Sequence, residues 1–156
     1  MSGFAVRAAV AADLAAVVAM ERATAEAPHW SEAEYAAAIG GGGGYVRRRL
    51  FVAEADGVVI GFAVGKVAGD LAELESIAVD LRMRRGGVGR ALCVAVMECC
   101  REERAATVEL EVRAASAEAI GLYQGLGFIC VGQRPRYYSE PVDDAVLMRL
   151  DLQRST

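Results

Sequence analysis

The sequence predicts a mixed α/β (α+β) fold, a mixed sheet of about seven strands flanked by about four helices. Three observations carry this. Period-two or β-branched segments and helical-period segments follow one another in the order strand, two helices, three strands, helix, strand, helix, two strands. The chain of 156 residues is 54% hydrophobic and 24% charged, which suits a folded chain with a sizeable core, and neither an internal repeat nor a linker interrupts it, so a single domain over 1–156 is expected. A loop with three glycines, Arg84 to Gly89, lies between a strand pattern and a helical one.

Each element has a local reason. "FAVRAAV" reads as the first strand, and Asp13 opens a helical pattern through Leu14, Val17, Val18 and Glu21. In "WSEAEY", Ser31 and Glu34 form a capping box, with Trp30 and Tyr35 placed as a hydrophobic staple. The run Gly40 to Gly44 orders only at a large cost in backbone freedom and reads as a flexible loop, with Arg47, Arg48 and Arg49 solvated beside it. "LFVAEADGVVIGFAVGKVAG" is a hairpin turning at Asp56-Gly57, and "AELESIAVD" is a further strand. After the glycine loop a helix runs to about Arg104, then come the strand "TVELEVR" and a short helix in "SAEAIGLYQGLG", stopped by Gly127. "FICVGQ" and "DAVLMRLDL" are the last strands.

Charge and composition narrow the function. The net charge of −4 argues against nucleic-acid binding over the whole surface. Lys66 is the only lysine, while Arg82, Arg84, Arg85 and Arg90 fall in one acid-free stretch, which suggests a small polyanionic ligand. No apolar run is long enough to span a bilayer, and the first residues lack the features of a secretion signal. Cys93, Cys99, Cys100 and Cys130 form no C-x-x-C pair and His29 is the only histidine, so no metal site is expected. Cys93 and Cys100 fit an apolar helix face as reduced core residues, in keeping with a cytoplasmic location.

The loop itself rejects two nucleotide readings. A P-loop ends in Gly-Lys-Ser/Thr, but Gly89 is followed by Arg90 and Ala91. A dinucleotide fingerprint has its third glycine where Leu92 stands, and an antiparallel hairpin before the loop is wrong for a doubly wound start. A backbone cradle for pyrophosphate remains: Gly87 and Gly89 admit close approach, the helix start presents N–H groups, and Arg84, Arg85 and Arg90 add charge. The alternative is a tight strand-to-helix turn with solvated arginines.

These residues carry a resemblance. "IAVDLRMRRGGVGRAL" resembles the acetyl-CoA loop of the GNAT (Gcn5-related) N-acetyltransferases, with the signature Q/R-x-x-G-x-G/A at Arg84-Arg85-Gly86-Gly87-Val88-Gly89. "APHWSE", "LEVRAAS…AIGLYQGLGF" and "RPRYYSEPVDDAVLMRL" resemble a narrower group, the RimI-like bacterial enzymes that acetylate the N-terminal alanine of a ribosomal protein. The resemblance runs over nearly the whole chain. It implies acetyl-CoA as co-substrate and a protein N-terminus, that of a small-subunit ribosomal protein, as partner, with no direct nucleic-acid or membrane role. It also implies that Ile77, Ala78 and Val79 bond the pantetheine arm through their backbone, and that Arg84, Arg85, Gly86, Gly87, Val88, Gly89 and Arg90 wrap the pyrophosphate. By the same resemblance Glu111 is the general base and Tyr123 the general acid. Ser116 stands where the group has Asn; its hydroxyl can cap the following helix, but a side-chain amide bond to the cofactor is lost. Gly86 likewise replaces a larger residue.

The chemistry accommodates these roles. A peptide α-amine has a pKa of about 7.7–8.0, so at neutral pH it needs only about one unit of help, roughly 1.4 kcal/mol, to become a nucleophile. A positioned carboxylate can supply that. Period two in "TVELEVR" puts Val108, Leu110 and Val112 on one face and Glu109, Glu111 and Arg113 on the other, a face either solvated or functional. Glu75, on a strand beside the loop, is a rival base or substrate contact. Tyr123 shares helical spacing with Ala119, Ile120 and Leu126, which suits core packing as well as an acid with its hydroxyl at a boundary. Trp30, Tyr137 and Tyr138 are candidates for a peptide slot, in loops flanking the groove. Asp143 and Asp144 either attract a basic peptide or serve a turn. Electrostatic help is expected from backbone N–H groups where the strand near Ala78 stops pairing. The rival functions are a GNAT enzyme for a small-molecule amine or a lysine side chain, and a non-catalytic acyl-CoA-binding module.

Overall fold

The computed structural model describes residues 3–24, 30–39, 44–84, 86–139 and 141–152. The elements run β1 (Ala5–Ala8), a 3-10 turn (Ala11–Asp13), α1 (Leu14–Ala23), α2 (Glu32–Ala37), β2 (Val46–Ala55), β3 (Val58–Ala68) and β4 (Leu71–Val79). A second 3-10 turn (Leu81–Met83) leads into α3 (Val88–Glu102), followed by β5 (Thr107–Arg113), α4 (Ala117–Gly125), β6 (Ile129–Ser139) and β7 (Val142–Asp151). The strands form one seven-stranded sheet in the order β1-β2-β3-β4-β5-β7-β6. Among the described residues the only parallel pair is β4 with β5, bridged by α3, and the other neighbours are antiparallel. The expected fold class and order of elements stand.

Local chemistry explains the joints. Asp56 and Gly57 take φ of 52° and 78°, the paired left-handed conformations that close a two-residue hairpin between β2 and β3. Ser31 and Glu34 make the reciprocal capping box at α2, and the Trp30 and Tyr35 rings meet at 5.2 Å as the staple requires. Gly127, at φ 103°, ends α4. Asp13 closes the 3-10 turn and is the N-cap of α1, so the helical pattern starts from it as expected; its carboxylate accepts from Arg7 and from the Val10 N–H, which together hold it below the usual carboxylate range.

The sheet separates two cores. On one face α3 and α4 bury Leu92, Cys93, Val96, Cys100, Val108, Leu110 and Tyr123. On the other face α1 and α2 cover Val17, Tyr35, Val52, Phe62 and Val64. The Cys93 and Cys100 thiols are pushed up to about 12 by burial, so they stay protonated core residues, as the sequence suggests. Cys99 is half-buried and Cys130 exposed.

Two expectations are corrected here. Arg47, Arg48 and Arg49 are partly exposed, as expected beside the glycine run, but they are not simply solvated: they lie in β2, where Arg47 and Arg49 pair with Glu103 after α3 and Arg48 pairs with Glu75 on β4. Strand pairing satisfies their backbone, and acids on adjacent elements gather their charges, neither of which shows in a run of three arginines. Tyr137 and Tyr138 are not in a loop, nor are Asp143 and Asp144 in a turn, because β6 and β7 extend past Pro135 as one long hairpin. Of the glycine run, residues 40–43 lie outside the described residues, as does His29; Gly44 has φ 101°.

α3 lies tight against β3 because two strand glycines leave room for it. A Cβ built on Gly65 would stand 2.9 Å from Val96 Cγ1, and Val is stiff at χ1. Gly65→Ala is therefore expected to lower unfolding stability by about 1–3 kcal/mol, as overpacking does, read as a lower denaturant midpoint at unchanged m-value.

Candidate active site

The site starts from a failure of strand pairing. β4 and β5 pair only over Leu71–Thr107, Ala72–Val108 and Glu73–Glu109. Beyond Glu73 the two strands share no further pair, while β4 keeps its β3 partner up to Val79. The opening comes earlier than the sequence reading near Ala78 expects. A bulge accompanies it: Val64 faces Ser76 and Gly65 faces Leu74, leaving Glu75 as the extra residue. The bulge exchanges the faces of β4. Ala72 and Leu74 belong to the α3/α4 core, whereas Ala78 belongs to the α1/α2 core.

A groove of about 720 Å³ fills the opening, walled by β4 from Leu74 to Val79 and by β5 from Leu110 to Arg113. The loop before α3 and the start of α4 close its ends. It brings together Glu75, Glu111, Ser116, Tyr123 and Tyr138, which lie on four different elements or their ends.

The cofactor candidates occupy one end. Ile77, Ala78 and Val79 line the groove. Their strand edge toward β5 is unpaired, the arrangement an extended amide-bearing ligand needs. Gly87 is the N-cap of α3 at φ 87°, a left-handed conformation that strains other residues, and a Cβ there would meet open space rather than protein. The cradle is thus built by backbone angle, not by internal crowding. Gly89 lines the groove, and a Cβ there would make ordinary contact with Leu122 at 3.5 Å. Arg84 and Arg90 line the groove as well; Arg84 Nε donates to the Val79 carbonyl at 3.5 Å. Val88 does not line the groove with its side chain, which is buried in the α3 core, so only its backbone N–H is available to a ligand. Gly86 sits outside the lining, and Arg85 lies outside the described residues. Arg82 folds back on Asp80 at 3.2 Å. Ser116 is the N-cap of α4 and lines the groove, but its side chain makes no cap bond, contrary to the sequence reading. Its backbone carbonyl accepts from Ile120 N–H instead, and its ψ of 68° is not the extended geometry of a capping hydroxyl.

The acid–base candidates line the same groove from different elements, Glu111 on β5 and Tyr123 on α4. The alternation in β5 holds: Val108, Leu110 and Val112 are buried, and Glu111 is turned to the opposite side. Its carboxylate accepts from Arg134 Nε of β6 at 2.8 Å, and that guanidinium lies 5.7 Å from the Tyr137 ring centre. Arg134 is 57% exposed, so the pair is a surface ion pair contributing about 0–1 kcal/mol and an incoming amine can displace it at little cost. Glu75 is held by Arg48 at 2.7 Å, and the Arg48 guanidinium stands 5.8 Å from the Trp30 ring centre. Glu73, beneath them, has its carboxyl pushed up by burial, with Glu75 and Glu111 adding repulsion.

Tyr123 is 5% exposed, packs edge-on against Phe128 at 5.9 Å, and still lines the groove. Core packing and access to the groove are both met by one side chain. Burial pushes its hydroxyl well above the ordinary phenol range, so it holds its proton throughout neutral pH. Tyr138 lines the groove under the Arg113 guanidinium, 4.3 Å from its ring centre. Tyr137 and Trp30 do not line it: Tyr137 packs on Tyr138 at 5.1 Å, and Trp30 packs on Tyr35. Glu111 is the main cause that raises the Tyr137 hydroxyl, whereas burial leads for Tyr138, with Glu111 second.

Several groove residues carry no motif that sequence reasoning could use. Thr24, Met83 and Leu122 line it, and Arg48 and Arg134 hold Glu75 and Glu111. A cross-strand ion pair between segments far apart in the chain leaves no local spacing to read.

Comparison with known proteins agrees with this geometry. Residues 16–128 match the acetyltransferase (GNAT) family. The chain is 37% identical over 142 residues to the [ribosomal protein bS18]-alanine N-acetyltransferase of Escherichia coli K12, covering 90% of this chain and 92% of that one. It is 37% identical over 116 residues to an N-alpha-acetyltransferase of Sulfurisphaera tokodaii, covering 66% of this chain and 69% of the relative. In structure it resembles the ribosomal-protein-S18-alanine N-acetyltransferase of Escherichia coli, with a TM-score of 0.80 at 32% identity over 99% of this chain and 97% of that one. An acetyltransferase fold from Salmonella typhimurium, solved with its cofactor acetyl-CoA, is similar at a TM-score of 0.80 and 24% identity over 99% of this chain and 97% of that one. The opened strand pair, the left-handed glycine that starts α3 and the family match over residues 16–128 together place the chain in the acetyltransferase (GNAT) family, as an N-acetyltransferase.

Proposed function

We propose that this N-acetyltransferase moves acetyl from acetyl-CoA to the N-terminal α-amine of a protein, alanine first and a ribosomal protein foremost, by direct attack and without a covalent enzyme intermediate. One observation carries the reading: the opening between β4 and β5 unites an anion cradle, an unpaired strand edge, a carboxylate and a protonated tyrosine in a single groove. The likeness to the Escherichia coli ribosomal-protein-alanine enzyme, at 37% identity over 90% of the chain, supports the substrate class.

The residues fit acetyl-CoA. Gly87, Gly89 and the first N–H groups of α3 would hold the pyrophosphate, with Arg84, Arg85 and Arg90 as counter-charges. Backbone groups of Ile77 to Val79 would pair with the pantetheine arm. When bound, acetyl-CoA supplies an activated thioester. Glu111 accepts the proton of the attacking amine, directly or through water, once Arg134 yields its place. Tyr123 donates its proton to the departing thiolate; burial keeps that proton in place at neutral pH until the transfer. Glu75 remains on the amine side of the groove, paired with Arg48, as a substrate contact or second base. Tyr138 lines the groove where a peptide would lie, with Tyr137 packed on it, while Trp30 packs on Tyr35 and carries Arg48, the partner of Glu75.

Four outcomes are expected. Acetyl-CoA should raise the melting temperature of the parent, since a ligand that binds only the native state stabilises it by mass action, and Gly87→Val should abolish that rise. At pH 7 the parent should prefer a peptide beginning with Ala over the same peptide with a blocked N-terminus and an internal Lys, whose amine at pKa about 10.4 needs several kcal/mol more help. Preference for the Lys peptide, or for a small amine, would replace the N-terminal assignment. Tyr123→Phe keeps the ring and its packing on Phe128, and should slow acetyl transfer ~100-fold or more at unchanged acetyl-CoA affinity, within the range of general acid catalysis. Full turnover in that folded variant returns Tyr123 to a packing role. Glu111→Gln should slow the Ala peptide most at low pH, where the amine is protonated, and the gap to the parent should close above the amine's own pKa. An unchanged pH profile moves the base to Glu75.

A further inference from the structure

Among the described residues three polar side chains are buried: Asp13, Glu21 and Ser76. Arg7 accounts for Asp13. The other two belong to one cluster on the α1/α2 side of the sheet. Glu21 of α1 is 1% exposed, and its Oε2 has no hydrogen-bond partner. Its carboxylate acts on the Tyr35 hydroxyl of α2. Tyr35 is fully buried, edge-on to Phe62 at 5.5 Å, and its hydroxyl lies 3.4 Å from Ser76 Oγ on β4. Ser76 is 5% exposed, follows the bulge residue Glu75, and lines the groove. An apolar core element thus carries a carboxylate, a phenol and an alcohol in series, ending at the groove.

A serine hydroxyl has one proton and two lone pairs, so whichever oxygen donates in the Tyr35–Ser76 bond, Ser76 keeps an acceptor lone pair on the groove wall. The groove therefore offers a fixed acceptor beside the bulge, on the same sheet face as Glu111. A neutral primary amine attacking through its lone pair carries two N–H groups. One proton leaves to the base, and the other needs an acceptor in a site from which water is excluded.

Resting on the reading of this groove as the amine-acetylation site, we propose that Ser76 accepts a hydrogen bond from the N–H that the attacking amine keeps, with Tyr35 and Glu21 as positioning residues that turn its lone pair into the groove. The consequence is selection for a primary amine. An N-methyl amine has a single N–H, which the base must take, and presents Ser76 with a methyl group.

The test compares an Ala-initiated peptide with its N-methyl-alanine counterpart, in the parent and in Ser76→Ala, Ser76→Thr, Tyr35→Phe, Glu21→Leu and Ser76→Ala/Tyr35→Phe. Ser76→Ala should lose ~3–10-fold in kcat/KM on the primary amine, the worth of one net hydrogen bond, and less than ~2-fold on the N-methyl peptide, at unchanged acetyl-CoA affinity. Ser76→Thr, which keeps a hydroxyl, should restore most of the loss. Tyr35→Phe should fall in the same direction, and the double variant should be no slower than Ser76→Ala, because groups acting as one unit are not additive. Glu21→Leu should match Tyr35→Phe; where it does not fold, Tyr35→Phe, which keeps the ring, decides the matter. Equal losses on both peptides, or additive losses in the double variant, would overturn the proposal. Should the parent acetylate a small amine and not the peptide, the substrate reading falls by itself. The same comparison on that amine and its N-methyl form then judges Ser76, with equal losses again overturning it. A parent that acetylates no amine overturns both.

Discussion

The site depends on the parting of β4 from β5 after Glu73 and Glu109. Parallel strands joined by a helix normally pair along their length, and each unpaired buried amide costs free energy. Here three pairs are kept at the base, where Val108 and Ala72 lie in the α3 core, and pairing is abandoned where the groove begins. The free edge of Leu74 to Val79 is thus left for a ligand, and β3 on the other side keeps β4 in place. The bulge at Glu75 follows the same division. It lets Leu74 fill the α3 core and Ala78 the α1/α2 core, so both layers stay packed while the strand bends away.

Packing on either side holds this geometry open. Below, α3 is drawn close to β3 by Gly61 and Gly65, and the helix start at Gly87 is thereby aimed at the mouth of the groove. Above, α1 and α2 rest on Phe62, Val64 and Ala78, with Tyr35 as the central ring. The single intrusion of polarity into that upper layer, Glu21 with Tyr35 and Ser76, ends at the groove wall rather than in the middle of the core. Burying such groups is costly unless each is satisfied. A cluster with one oxygen of Glu21 unpartnered is therefore more than filling.

The charges show the same economy of means. Glu75 and Glu111 are each held by an arginine from a strand on the far side, Arg48 from β2 and Arg134 from β6. Both pairs are partly exposed, so they orient the carboxylates without contributing much stability. Arg113 of β5 lies over Tyr138 and Arg134 of β6 over Tyr137, so cations from two strands gather on the two rings of β6. Tyr123 differs: its burial serves core packing and also keeps the hydroxyl protonated.

By itself the sequence determined what depends on neighbours along the chain. Period two in "TVELEVR" separated Glu111 from the core, Asp56-Gly57 fixed a hairpin, Ser31 and Glu34 fixed a helix start, and Gly87 ahead of an apolar helix marked the turn into α3. Each is a rule of adjacent dihedrals or short spacing, which a linear pattern records. The resemblance that the loop carried also brought Glu111 and Tyr123 forward, and the tertiary structure brings both to one groove. Only that structure decided where β4 leaves β5, that Arg47 to Arg49 lie in a strand with acidic partners, that Tyr137 and Tyr138 belong to β6, and that Ser116 does not cap α4 with its side chain. It also decided that Glu21, Tyr35 and Ser76 meet. These facts join residues tens of positions apart through sheet pairing and layer packing, and no local spacing encodes which distant segment will supply the partner.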